Sequence, residues 1–114
     1  MSNYHKHINR VNVIITGISD TKQSKYGGTY RYIYAIGPDG RNLHPASLSS
    51  SMQNYDEWSK PIAIVENLNP SENLFCDDAV IVTRDGKTML NCDFVPSAFD
   101  IVEIDEEKRK QLIN

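Results

Sequence analysis

Cysteine is scarce in this chain, glycine and proline are few, and no long apolar run occurs: two Cys, six Gly and five Pro in 114 residues. Cys76 and Cys92 have neither the spacing of a metal-ligating pair nor the density of a disulfide scaffold. Reduced thiols in a cytoplasmic protein are the expectation, with a bridge between them left open. No apolar stretch approaches the roughly 20 residues that a membrane helix needs. The segment behind His5, Lys6, His7 and Arg10 is short and broken by Asn12 and Thr16, which does not suit a secretory signal. Motifs of chemistry are absent as well. There is no phosphate loop ending in Gly-Lys-Ser/Thr, no dinucleotide fingerprint, no His-Glu-x-x-His pair and no nucleophile elbow. Gly27-Gly28 is a bare doublet that precedes a strand pattern, so it lacks the helix N-terminus that would hold a phosphate.

The remaining polar groups do not assemble a reaction. Asp77, Asp78 and Asp93 are carboxylates of hairpin loops, where solvated surface is the ordinary role. Cys76 and Cys92 with His44 supply the atoms of a nucleophile and base without any local signature for one, and buried cysteines are commonly inert. His5 and His7 reach one side of a strand, but two ligands do not make a stable zinc site. We therefore expect no enzyme, no metal and no organic cofactor.

Net charge is −3, and it is unevenly placed. Residues 1–41 hold six Lys/Arg against two Asp/Glu, a balance of +4; residues 42–114 hold six against thirteen, a balance of −7. Such asymmetry marks either a nucleic-acid-facing half opposed to an acidic one or two halves that mix in space.

What is present is a strand with a strong pattern. Between Lys25-Tyr26-Gly27-Gly28 and Gly37-Pro38-Asp39-Gly40, residues Tyr30, Tyr32, Tyr34 and Ile36 fall on one side of an extended chain, and Thr29, Arg31, Ile33 and Ala35 on the other. Ile8–Ile18 reads as a second strand, apolar on both faces. The polar loop Ser19–Gly28 joins the two as a long hairpin. Arg41–His44 reads as a third short strand ended by Pro45. Leu48, Met52, Tyr55 and Trp58 make a helical stripe over Ala46–Ser59, with Ser47 as N-cap and Pro61 as stop. Period 2 returns over Pro61–Asn67, and Asn67–Asp78 reads as a loop. Ala79–Thr83 and Lys87–Val95 flank Arg84-Asp85-Gly86, a tight-hairpin signature. Phe99–Ile104 adds an edge strand, and Asp105 begins a short charged helix.

This order predicts one mostly β domain over residues 1–114, with one internal helix, a short C-terminal helix, and loosely held ends at 1–7 and 105–114. A helix between the third and fourth strands is the arrangement of an oligonucleotide/oligosaccharide-binding (OB) barrel; an SH3-like barrel or a small α+β sheet with one covering helix fits nearly as well. The tyrosine face is either the outer surface or the interior of that barrel. Three large tyrosines would overfill a small barrel, whereas Ile33 and Ala35 fill one modestly, which favours the outer setting. The expected site is then Lys22, Lys25, Tyr26, Tyr30, Arg31, Tyr32, Tyr34 and Arg41, with rings for stacking bases and cations for phosphates of single-stranded nucleic acid. The rival expectation is a protein-interaction module, such as a small acidic inhibitor or accessory factor, since exposed tyrosines also serve as protein hot spots.

Overall fold

A computed structural model of the chain describes residues 9–53 and 56–103. Its elements run β1 (Asn9–Ile18), β2 (Lys22–Gln23), β3 (Thr29–Ile36), β4 (Ala46–Ser49), α1 (Ser50–Gln53), α2 (Asp56–Glu66), β5 (Glu72–Arg84), β6 (Lys87–Leu90) and β7 (Ala98–Glu103). The fold is mostly β, and the strand ladders form one antiparallel sheet.

Three strands, β1, β3 and β5, are paired on both edges, and β3 and β5 organise the rest. Ile33 of β3 pairs with both Ile18 and Ala46, and Tyr30 with both Lys22 and Ser49. Hence β4 runs along one edge of β3 while β1 and then β2 share the other. In β5, Leu74 pairs with Ile15 and Ile101, and Ile81 with Asn9 and Leu90. One edge of β5 thus carries β1, and the other carries β7 followed by β6. The change of partner falls at Asp77–Asp78, where β1 advances from Val11 to Val13 while β5 passes from Ala79 to Cys76. This is a β-bulge, and Asp78 occupies the left-handed region at φ 54°. Ser97 fastens it, donating its hydroxyl to Asp78 Oδ2 at 3.1 Å and its N–H to the Asp77 carbonyl at 3.0 Å. The far edges of the sheet meet in one parallel bridge between His44 and Met89, with the His44 N–H donating to the Thr88 carbonyl at 2.8 Å. A single bridge is not a ladder, so the described strands form a sheet and not a closed barrel.

The core lies on one face of this sheet. Val13, Ile15, Ile33, Leu48, Leu74 and Cys76 point into it, with Ala35, Ala46 and Ala79 where space is short. Trp58 of α2 fills the middle, 1% exposed, and its indole N–H donates to the Cys92 carbonyl at 2.9 Å. Burying the ring satisfies its one donor as well, which is the condition for a tryptophan inside. The strands β1–β3 of the basic half stay adjacent in the sheet, as do β5–β7 of the acidic half. Among the described residues no helix is long and apolar enough to cross a membrane.

Three expectations from sequence are corrected. Ala46–Ser49 is a strand, not the start of a helix, because β3 offers it a ladder from Tyr30 to Ile33; the third strand therefore follows Pro45 instead of ending there. Pro61–Glu66 is helix, not strand. Trp58, Pro61, Ile62 and Val65 line one helical stripe toward the core, and their burial outweighs the backbone hydrogen bond that Pro61 cannot donate. Glu72–Asp78 is strand, not loop: Leu74 and Cys76 are fully buried. Trp58 is a core plug, as its place in the stripe suggested. The side chains of Met52 and Tyr55, the histidines His5 and His7, and the expected C-terminal helix lie outside the described residues.

Candidate functional site

Parity along β3 decides which side chains face out. Ile33 and Ala35 are 3% and 4% exposed and belong to the core, so Tyr30, Tyr32 and Tyr34 stand on the opposite face. Tyr34 is 39% exposed; Tyr30 and Tyr32 are half-buried, in part by one another. Their rings meet edge to face, with centroids 5.4 Å apart and planes at 80°. The side-chain hydrogen bond with Tyr32, aided by desolvation, raises the Tyr30 phenol above its ordinary pKa.

The neighbours of this row are small or cationic. By register, Tyr30 stands between Lys22 and Ser49, Tyr32 beside Ser47, and Tyr34 beside Gly17. None of Ser47, Ser49 and Gly17 carries enough side chain to cover a ring. A bulge in β1 at Thr16 sets the Gly17–Tyr34 pairing, and the Thr16 hydroxyl holds it by donating to the Tyr34 carbonyl at 3.2 Å. Past Lys22, the loop tip carries Tyr26, 87% exposed, with the Lys25 ammonium 5.4 Å from its ring centroid. Gly27 and Gly28 have φ of 95° and 77°, the backbone that lets this tip turn back into β3. Ser19 anchors the loop at its base. Its N–H donates to the Tyr32 carbonyl at 2.9 Å, and its hydroxyl accepts the Tyr32 N–H at 2.8 Å.

Six of the eight residues picked from sequence are thus gathered: Lys22, Lys25, Tyr26, Tyr30, Tyr32 and Tyr34. Arg31 is not among them. It shares the inward side with Ile33, donates Nε to the Ser19 carbonyl at 2.8 Å, and pairs with Glu66 at 3.2 Å. Its charge ties β3 to the end of α2. Arg41 is exposed but sits beyond the other end of β3, in the turn where Gly37 N–H donates to its carbonyl at 2.9 Å. Ser47 and Ser49 were missed, because in sequence they lay within an expected helix.

Other chemistry is weakly equipped. Cys76 and Cys92 are free and buried, and burial, aided by Asp77 and Asp93, pushes both thiols up to about 12. Neither is an activated nucleophile. Among the described residues no three His, Cys, Asp or Glu side chains gather as a metal site. No protein-family model, no curated protein and no solved structure matches the chain.

Proposed function

We propose that this protein is a binding module that holds single-stranded nucleic acid across the outer face of β3. One observation carries the reading: three consecutive outward positions of a central strand are tyrosines, flanked by serines and a glycine and continued by Lys22 and Lys25. Bases stack on such rings whatever their sequence, at about 1–3 kcal/mol each, while ammonium groups follow the phosphates. The architecture lends support by analogy. We read the sheet as a partly open barrel of the OB kind, with α2 between its third and fourth main strands and the His44–Met89 bridge where those barrels close. Barrels of this kind use the second and third strands and the adjoining loop as their groove.

The test is binding of labelled oligothymidine and oligouridine at low salt, with Tyr32→Ala and Tyr34→Ala as variants. Each should keep the thermal melt nearly unchanged and lose about 1–3 kcal/mol of affinity. With Lys22 and Lys25 as the two phosphate contacts, log K should fall with log salt at a slope of about −1.4. A wild-type protein that binds neither oligonucleotide at low salt ends this reading. A protein-interaction module is then the stronger one. It is favoured by the sequence pI of about 5.5 and by a face built of Tyr, Ser and Gly, the composition of adaptable protein-binding surfaces.

A further inference from the structure

We propose that the cleft at the opposite end of the tyrosine row is a second phosphate site, which receives the backbone of the same strand after it has crossed the rings; this rests on the single-strand reading above. The cleft, of about 630 Å³, lies between the turn after β3 and the β5–β6 hairpin, and Arg41, Asn42, His44, Lys87 and Thr88 line it with Asp39. That volume suits one nucleotide unit and exceeds what a lone ion needs.

Two elements distant in sequence bring the cations together. Arg41 comes from the turn and Lys87 from the start of β6, and the His44–Thr88 hydrogen bond joins their supports. Among the described residues the one ion pair is Arg31–Glu66, so neither the Arg41 guanidinium nor the Lys87 ammonium is paired with a described carboxylate. Lys87 stands directly opposite Arg84 across the hairpin. Like charges in that position repel, and an anion between the hairpin and the turn relieves the repulsion. Asp39 lines the same cleft and turns Oδ1 to the Arg41 N–H at 3.0 Å, which fixes the turn; its charge leaves one net positive charge among Arg41, Lys87 and Asp39.

The cleft lies beyond the end of the row. Asn42 bridges Ile36, which shares the parity of the tyrosines but is buried at 5% exposed, and Leu43 N–H donates to the Ala35 carbonyl at 2.9 Å. From Tyr30 to Ile36 is about 20 Å at the rise of a strand. One extended strand therefore passes from Lys22 and Lys25, over three rings, to Arg41 and Lys87.

The experiment measures salt dependence for two lengths of labelled oligothymidine, about four and about sixteen nucleotides, the ends of the range for such folds. In the wild type the long strand should give a slope near −2.8 and the short one near −1.4, four phosphate contacts against two. The R41A/K87A double variant should bring the long strand down to the short strand's slope, lower its affinity about tenfold, and leave the short strand unaffected. Lys87→Gln alone should give an intermediate slope. Equal slopes for both lengths in the wild type, or an unchanged long-strand slope in R41A/K87A, overturn the second site while short-strand binding keeps the tyrosine reading alive. Absence of binding at either length removes both.

Discussion

Arg31 separates from the tyrosines on either side of it by parity alone. Its neighbours face out, whereas its guanidinium turns toward the core side to meet Ser19 and Glu66. Arg31→Ala should therefore act on folding, lowering stability by about 1–2 kcal/mol: a partly exposed pair is worth little, and a charged donor to a carbonyl somewhat more. The slope of oligonucleotide affinity against salt should stay where it is. Denaturant melts and a salt titration on that one variant separate a structural role from a phosphate contact. The alternation Tyr30–Ile36 is fully legible in sequence. Which side faces in is not, because both sides carry apolar or aromatic groups. The partners that settle it, Leu48 of β4 and Trp58 of α2, are distant in sequence. Small size legibly favoured Ile33 and Ala35 for the interior; nothing local told that Arg31 would follow them there.

At the scale of elements, turn chemistry was the most readable signal. Asp85 and Gly86 have φ of 53° and 77°, the pair of left-handed residues that a two-residue hairpin between twisted strands requires. Gly86→Ala should destabilise the protein by about 1 kcal/mol, the cost of a Cβ in that backbone, although nothing lies within 4 Å of where the methyl would go. A thermal melt reads it directly. An unchanged melting temperature would mean that the turn is not held in this conformation. Less readable were the segments where tertiary pairing outweighs local pattern. Ile62 fits a period-2 pairing with Ile64 as well as the helical stripe of Trp58 and Val65, and a short apolar run does not choose between them. The polar run Asn69-Pro70-Ser71-Glu72 makes Asn67–Asp78 read as a loop, whereas β5 begins at Glu72 and a bulge absorbs Asp78 and lets it run on.

For the whole molecule, the two buried thiols give a pH dependence. Each has a folded pKa of about 12 against 9.0 for the free group, so between those values the unfolded chain releases protons that the folded one keeps. The thiol contribution is intact below pH 9 and is lost as pH rises toward 12, by about 1.4 kcal/mol per pH unit for each cysteine. Urea midpoints should fall steeply above pH 9, and less steeply in a Cys92→Ser variant compared with itself at neutral pH. The charge imbalance between the two halves of the sequence persists within one sheet, where β4 pairs with β3, Arg31 meets Glu66, and β1 joins β5 along a seam that starts at Asn9. That seam has a consequence for the order of assembly. Among the described residues, Asn9–Val13 of β1 find their ladder partners only in Cys76–Ile81, whereas Ile14–Ile18 pair with β3. That part of β1 is thus left without its ladder until β5 has been made. A fragment of residues 1–71 should accordingly show no cooperative melt, even though it contains β1–β4, α1 and α2. The 114-residue chain should refold at the slow pace of sheets closed by distant segments, in milliseconds to seconds.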